Sequence, residues 1–171
     1  MNHLATSKED ILAASRDLIK ENGWAAVSIR AVASRCSVSA GTIYNYYESK
    51  ADLLSDTIES IWHEIFFHPE DEQIFHDVES CISWIYERLE YGNRQFPGFF
   101  SLHSFGFMRD EKTSGKKRMM KTWGHILNGL CEVLGNDPKV RADVFDQEFT
   151  EKKFADILFS LILVSMIRQD Y

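Results

Sequence analysis

The chain has 171 residues, of which 44% are hydrophobic and 26% charged, a composition typical of one compact unit or of a small domain joined to a larger one. The formal net charge of -7 at pH 7 argues against indiscriminate binding of nucleic acid. The most hydrophobic stretch, Phe154 to Ile167, is interrupted by Asp156 and two serines and is shorter than the roughly 20 residues of a bilayer span, so we expect a soluble, cytoplasmic protein.

The charge is distributed unevenly along the chain. Residues 1–50 carry six Lys and Arg and five Asp and Glu, whereas residues 51–171 carry thirteen and twenty-one. This asymmetry is expected if only the first part of the chain approaches phosphate groups.

Three cysteines, Cys36, Cys81 and Cys131, are far apart in the sequence and form no CxxC motif. An odd number at this spacing indicates neither a disulfide framework nor a zinc site. We interpret them as small hydrophobic residues in a reducing compartment, in preference to a redox switch.

The first predicted helix covers Ser7 to Asn22. Ser7 and Asp10 form a capping pair at its start, and Gly23 supplies a stop. Its apolar residues recur at helical spacing and are Ile11, Leu12, Ala14, Leu18 and Ile19. We expect this helix to form one side of a small three-helix core.

Two shorter helices are predicted next. Ser28 is a favourable N-cap for the second helix and Ser39 for the third, with a tight turn at Cys36-Ser37-Val38 between them. On the third helix Ile43 and Tyr47 share the inner face. The residues that point away from that face are Gly41, Thr42, Tyr44 and Asn45. Two short helices joined by a tight turn are typical of a helix-turn-helix motif.

Beyond residue 49 the pattern predicts longer helices. Ser49 and Asp52 cap the first of these. A further helix ends at Pro97-Gly98 and is predicted from the helical spacing of Ile74, Val78, Ile82, Ile85 and Leu89. The stretch FPGFFSLHSFGF, residues 96–107, predicts a short helix packed between longer ones. After a polar link over residues 110–117, another helix is predicted from residue 119 to residue 134.

Residues 139–148 predict one or two helical turns, and the last helix covers Phe149 to Arg168. That helix is apolar almost all round. Because a terminal helix of this kind needs cover on every face, we predict an oligomer interface over Phe154 to Ile167. No segment shows the alternating pattern of a β-strand.

The third helix has the chemistry of a DNA-reading element. A helix can enter the major groove and present side chains to base edges, while hydroxyls, lysines and helix N-termini hold phosphates. Thr42 and Asn45 suit base contacts, and Lys50 beside a capped helix start suits a phosphate. The predicted DNA-binding residues are Ser28, Arg30, Ser39, Ala40, Gly41, Thr42, Tyr44, Asn45, Tyr46 and Lys50.

Residues 28–50, SIRAVASRCSVSAGTIYNYYESK, carry this motif, and the segment from about Asp10 to Leu54 resembles the DNA-binding domain of the TetR family of transcriptional repressors. The resemblance implies an all-α fold, with a helix-turn-helix DNA-binding domain at residues 1–49 and a helical-bundle domain for ligand binding and dimerisation at residues 50–171. It further implies a homodimer on a palindromic operator and an effector that shifts the helix from Lys50 to Phe67.

Two residues depart from the family pattern. Ser37 stands where glycine is common, which implies a left-handed turn residue with a side chain. Ala40 stands where a lysine or another polar residue is common, so one DNA contact is absent. The chain also offers one predicted helix fewer than the family's usual count.

An apolar or aromatic small-molecule effector is predicted to bind within the C-terminal domain. The predicted pocket residues are Phe66, Tyr86, Phe100, His103, Phe107, Trp123 and Leu127. For the phenylalanine-rich stretch, ordinary core packing is the favoured alternative.

No cofactor, metal site or catalytic site is predicted. His63, His68 and His76 do not share one helical face. The chain has no GxGxxG, GxxxxGK[ST], GxSxG or HExxH motif. The basic group from Lys112 to Lys121 is interpreted as a solvated link and helix start, with an auxiliary DNA contact as the alternative. For the whole chain, the competing interpretation is an all-helical protein-interaction adaptor that binds no operator.

Overall fold

A computed structural model describes residues 6–67, 75, 77–100 and 114–168, with the backbone alone over residues 114–122. Within these ranges the secondary structure is entirely helical, which confirms the predicted fold class. The helices are α1 (Lys8–Asn22), α2 (Ile29–Arg35), α3 (Ala40–Tyr44), α4 (Lys50–Phe66), α5 (Val78–Gln95), α6 (Ser114–Asn136) and α7 (Glu151–Arg168), and a 3₁₀ turn covers Trp24–Ala26.

Side-chain caps fix the starts of the first four helices where the sequence predicted them. Ser7, Ser28, Ser39 and Ser49 each accept a hydrogen bond from a backbone N–H three residues on. At α1 the Asp10 carboxylate also accepts from the Ser7 backbone N–H, which completes a capping box. Such caps satisfy helix-end donors that would otherwise be unpaired.

The helix-turn-helix unit, α1 to α3, closes around its own small core. The predicted inner-face residues Ile43 and Tyr47 are buried, as is Val27 from the connector after α1. The other buried apolar residues of the unit are Ile11, Ala14, Ile19, Ile29, Val32 and Ala33. Five residues of α3 are therefore held in place largely by α1 and α2.

Helix α4 belongs to both parts of the molecule. It packs against α1 at one side and against α5 and α6 at the other. Trp62 is 1% exposed, and its ring meets those of Phe66, Phe99, Phe100 and Trp123 at centroid distances of 5.7 to 5.8 Å. These aromatic contacts place α4 at the centre of the helical bundle, α4 to α7. The same helix joins the bundle to the helix-turn-helix unit.

Helices α4 and α5 approach each other closely at Gly92. A Cβ atom at this position would lie 2.5 Å from Cδ1 and 2.9 Å from Cγ1 of the buried Ile65. One turn away, the Arg88 guanidinium donates from Nε to the Ile65 carbonyl and from Nη2 to the Glu64 carbonyl at 3.3 Å. Arg88 thus satisfies carbonyl groups that the end of α4 leaves unpaired.

Two predictions about the bundle are wrong, and both concern loops. Helix α6 begins at Ser114, inside the stretch predicted as a link. Residues 137–150 form turns in place of the helical turns predicted over 139–148. The reason is local, because Asp146 Oδ1 accepts from the N–H groups of Glu148 and Phe149 at 2.8 and 2.7 Å and draws the backbone away from a helix.

The phenylalanine-rich stretch starts as core. Phe96, Phe99 and Phe100 are buried, and the Phe99 N–H closes a turn on the Phe96 carbonyl at 3.0 Å. This agrees with core packing as the favoured interpretation for these three residues. The remainder of the predicted short helix lies outside the described residues.

Helix α7 buries one side and exposes the other. Ala155, Phe159 and Ile162 are buried against the bundle. Ile157, Leu161 and Val164 are 50%, 61% and 47% exposed. None of the helices in the described part of the chain is both long enough and apolar enough to cross a membrane.

Candidate nucleic-acid interface and effector cavity

The turn between α2 and α3 sets the direction of the candidate DNA-reading helix. Ser37 has φ 55°, so it adopts the left-handed conformation expected from its place in the turn. The Val38 N–H donates to the Ala33 carbonyl at 2.9 Å and the Ser37 N–H to the Ser34 carbonyl at 3.1 Å. These two bonds form a Schellman motif, which ends α2 and redirects the chain into α3.

The outer face of α3 is open to solvent and polar. Tyr44 is 53% exposed, and Gly41 and Asn45 are also exposed. Thr42 is half-buried, and its Oγ1 lies 3.0 Å from Ser39 Oγ, which caps the helix. Ala40 is half-buried against the core of the unit, so its methyl group offers no polar contact at this face.

The Tyr46 hydroxyl, which belongs to a residue predicted to bind DNA, has a hydrogen-bond partner within the protein. Its hydroxyl donates a hydrogen bond to the backbone carbonyl of Thr6, and the residue is 40% exposed. The ring therefore ties the segment before α1 to the end of α3. A phosphate contact through this hydroxyl would use its remaining acceptor capacity or replace the bond to Thr6.

Two of the four cations considered at this unit are exposed without an ion pair within the described residues. Arg35 is neutralised by Glu21, with Nη1 to Oε2 at 2.8 Å, and Lys8 by the buried Asp56 at 2.6 Å. Arg30 and Lys50 are exposed and form no ion pair within the described ranges. Lys50 also stands at the first position of α4, where the N-terminal end of the helix favours an anion.

This arrangement coincides with a match to a known family. Residues 11–57 match the family described as bacterial regulatory proteins, tetR family. This segment of the chain is of the TetR type. The matched segment contains most of α1, all of α2 and α3 and the first half of α4, and thus every predicted DNA-binding residue.

Two curated relatives match a stretch of similar length. The chain is 38% identical over 48 residues to the HTH-type transcriptional regulator UidR of Escherichia coli K12. It is 45% identical over 47 residues to the HTH-type transcriptional repressor KstR of Rhodococcus jostii RHA1. Each match covers 28% of this chain and only about a quarter of the relative, 24% of UidR and 22% of KstR.

The fold of the chain is also similar to that of a solved transcriptional regulator. The structure of the transcriptional regulator FadR from Bacillus subtilis, in complex with stearoyl-CoA, superposes with a TM-score of 0.64. The match covers 96% of this chain and 90% of FadR at 19% sequence identity. At this identity the similarity concerns the fold, and it extends through the helical bundle.

A cavity of about 160 Å³ lies in the bundle between α4, α5 and α6. Its mouth is at the exposed residues His125 and Gly129 of α6, and its floor includes the buried residues Cys81 and Ile85 of α5. The full lining is Phe66, Phe67, Phe75, Cys81, Trp84, Ile85, His125, Ile126, Gly129 and Leu130.

Most of the residues predicted for an effector pocket lie elsewhere. Phe66 lines the cavity, but Phe100 and Trp123 pack edge-on against Trp62. The Tyr86 hydroxyl hydrogen-bonds with the Ser165 hydroxyl at 3.1 Å. Leu127 packs against the hydrophobic core, and His103 and Phe107 lie outside the described residues.

The sequence did contain a signal for the missed lining residues. His125, Ile126, Gly129 and Leu130 recur at spacings of one, three and four along α6, which places them on one face. Cys81, Trp84 and Ile85 have the same spacing along α5. A glycine within an apolar helical face was the specific hint of missing volume, since it leaves space where a side chain would stand.

The cysteines agree with their interpretation as hydrophobic residues. Cys81 is buried, and Cys36 and Cys131 are half-buried and free. Burial raises the pKa of each thiol, that of Cys81 to about 11. A thiol with a raised pKa stays protonated at neutral pH and is a poor nucleophile. Of the histidines considered as metal ligands, His63 stacks on Phe67 at 5.0 Å, and His68 and His76 lie outside the described residues.

Proposed function

We propose that the protein is a dimeric, DNA-binding transcriptional regulator of the repressor type, released from its operator by a small molecule. The observation that carries this proposal is the outer face of α3. It is polar and exposed, it is fixed by the Schellman turn at Ser37, and it lies within the TetR-family segment.

The residues of this face divide into two roles. Thr42 and Asn45 have side chains that can hydrogen-bond base edges and therefore set sequence preference. Lys50 and Arg30 are exposed cations that hold phosphates irrespective of sequence. Tyr44, exposed at the end of α3, extends the phosphate contacts with its hydroxyl.

The bundle can influence the DNA-binding face through α4. Glu64 on α4 forms ion pairs with two residues of α1, with Arg16 Nε at 3.0 Å and with Lys20 Nζ at 2.6 Å. The same residue's backbone carbonyl is held by Arg88 of α5. A shift at the end of α4 therefore reaches α1 through two ion pairs.

A second contact joins the two parts at the end of α5. The Trp24 backbone N–H donates to the Pro97 carbonyl at 3.0 Å, and the Trp24 ring lies 6.0 Å from that of Phe99. Gly23 and Gly98, both with φ 79°, allow the two chain segments to approach at this point. The helix-turn-helix unit is thus attached to the bundle at two places, and an effector that favours one arrangement would change its orientation.

The second subunit is proposed to cover α7. A row of exposed apolar side chains, Ile157, Leu161 and Val164, is unusual on a monomer surface and suits a symmetric helix-to-helix interface. This row supports a dimer contact within the predicted segment from Phe154 to Ile167. Two helix-turn-helix units in one dimer would meet two half-sites of an operator.

A mobility-shift assay with duplex DNA from upstream of the protein's own gene tests the proposal. We expect specific binding that weakens steeply with salt, because phosphate contacts release counterions. Lys50→Ala should weaken binding to all sequences alike, whereas Asn45→Ala should change base preference. Lys152→Ala, an exposed lysine on α7, is the matched control and should leave binding unchanged.

Two results would overturn the proposal. One is a folded, dimeric protein that shows no sequence-specific binding at any salt concentration. The other is equal loss in the Lys50→Ala and Lys152→Ala variants, which would show that surface charge in general, and not this face, binds DNA. Absence of DNA binding together with a protein partner in pull-down experiments would favour the adaptor interpretation.

A further inference from the structure

We propose that the cavity between α4, α5 and α6 binds a compact, uncharged aromatic molecule of one ring or two fused rings. This inference rests on the proposed function, since such a molecule would act as the effector of the regulator. It specifies the class of ligand, which neither the family nor the relatives determine.

The walls of the cavity favour a planar ring. The Trp84 ring lies 5.7 Å from Phe66 and 5.3 Å from Phe75, at interplanar angles of 63° and 55°. Phe67 meets His125 edge-on at 6.0 Å. Tilted rings present both faces and edges to the cavity, and an aromatic guest gains from edge-to-face contacts beyond the apolar area that it buries.

The lining also selects against charge. Of the described lining residues, none is Asp, Glu, Lys or Arg. The Cys81 thiol at the floor is protonated at neutral pH. A carboxylate or ammonium group on the ligand would therefore lose its hydration without gaining a partner. His125 at the exposed mouth can hydrogen-bond a hydroxyl or ring N–H group on the ligand's outer edge.

The size of the cavity limits the ligand to few atoms. An apolar cavity of about 150 Å³ accommodates benzene, and this one has about 160 Å³. A long acyl chain, such as that in the complex of FadR, exceeds this volume. We therefore expect this protein and FadR to bind different classes of ligand, although the two share a fold.

Ligand in this cavity would contact the part of α4 that communicates with α1. Phe66 and Phe67 are the last residue of α4 and its C-cap. Ile85 on the opposite wall precedes Arg88 by one helical turn, and Arg88 holds the carbonyls of Glu64 and Ile65. An occupied cavity thus acts on the residues that connect α5, α4 and the ion pairs to α1.

Gly129 provides a specific way to close the cavity. A Cβ atom at Gly129 would meet nothing within 4 Å, so a larger side chain can enter the open space without a backbone clash. Gly124, on the same helix, also has nothing within 4 Å of a Cβ atom but does not line the cavity. Gly129→Leu and Gly124→Leu are therefore a matched pair with the same change in helix propensity.

The test measures binding of indole and p-cresol, with indole-3-acetate and palmitate as charged and long-chain probes, by ligand-detected NMR and thermal shift on the full chain. We expect indole or p-cresol to bind the unmodified protein and to raise Tm by a few degrees at 1 mM. Gly129→Leu should weaken binding at least 10-fold and Gly129→Ala by less, while Gly124→Leu should bind as the unmodified protein does.

Three outcomes would overturn the ligand class. These are no binding of indole or p-cresol, equal binding by the Gly129→Leu variant, or preferential binding of palmitate or indole-3-acetate. A mobility-shift assay on the same samples keeps this inference distinct from the proposed function. Specific DNA binding with no aromatic binding refutes only the ligand class, whereas aromatic binding without DNA binding refutes the regulator.

Discussion

The helix-turn-helix unit and the helical bundle are specified in different ways. In the unit, short-range signals determine the structure, because serine caps start three helices and a left-handed residue ends α2. In the bundle, the cavity depends on residues from three helices that are distant in sequence. The candidate DNA-binding face is therefore encoded locally, whereas the cavity arises from tertiary packing.

The largest effect on stability is expected from a substitution on the buried face of α3. Ile43 is fully buried, so Ile43→Ala should lower the free energy of unfolding by about 2 to 5 kcal/mol through lost burial and a cavity. Its exposed neighbour serves as the control, and Tyr44→Ala should change stability by no more than about 0.5 kcal/mol. Urea unfolding measures both, and similar losses would contradict the assignment of inner and outer faces.

The next effect concerns the close approach of α4 and α5. Gly92→Ala places a methyl group against Ile65, and overpacking of this kind costs about 1 to 3 kcal/mol, partly offset by the better helix propensity of alanine. Ile65→Val removes Cδ1, so the double variant should recover part of the loss in a double-mutant cycle. Additive losses would show that this contact does not limit the packing of the bundle.

A smaller effect is expected at the turn before α3. Ser37→Gly should raise the free energy of unfolding by up to about 1 kcal/mol, because glycine tolerates the positive φ that serine adopts with strain. Ser34→Gly, inside α2, should instead destabilise the protein by up to about 1 kcal/mol. Thermal or urea unfolding distinguishes the two signs, and destabilisation by both glycines would argue against strain at Ser37.

The smallest effect is a pH dependence at the start of α5. Hydrogen bonds from the Ser80 side chain and backbone N–H, together with Lys139, hold the pKa of the Asp77 carboxyl well below its usual range. The ionised Asp77 carboxylate thus stabilises the folded state above its unfolded-state pKa of about 3.9, and this stabilisation is lost as the pH falls below that value. The stability difference between the unmodified protein and Asp77→Asn should shrink between pH 6 and pH 3, and a difference that is constant with pH would contradict this assignment.

The part of the fold that sequence predicted follows the same division. The starts of four helices could be predicted because the capping side chains bond to backbone groups only three residues away. These caps are Ser7, Ser28, Ser39 and Ser49. The family resemblance was carried by the same local segment, and the match over residues 11–57 confirms it.

The pocket residues and the segment before α7 depended on contacts that cannot be predicted from the spacing of residues in the sequence. Trp123 and Phe100 had the expected aromatic character for a pocket, yet both meet Trp62 in the core. Residues 139–148 were predicted as one or two helical turns, but the Asp146 side chain competes for the backbone N–H groups. In each case a contact outside the periodic pattern decided the structure.

The exposed apolar row on α7 would make the stability of the protein depend on its concentration. If a second copy covers Ile157, Leu161 and Val164, association removes this surface from water and stabilises the folded chain by mass action. The apparent Tm would then rise with protein concentration. A cell that makes few copies would hold a larger share of separate, less stable subunits, each carrying a single helix-turn-helix unit, so the amount of protein would itself set how firmly the operator is occupied.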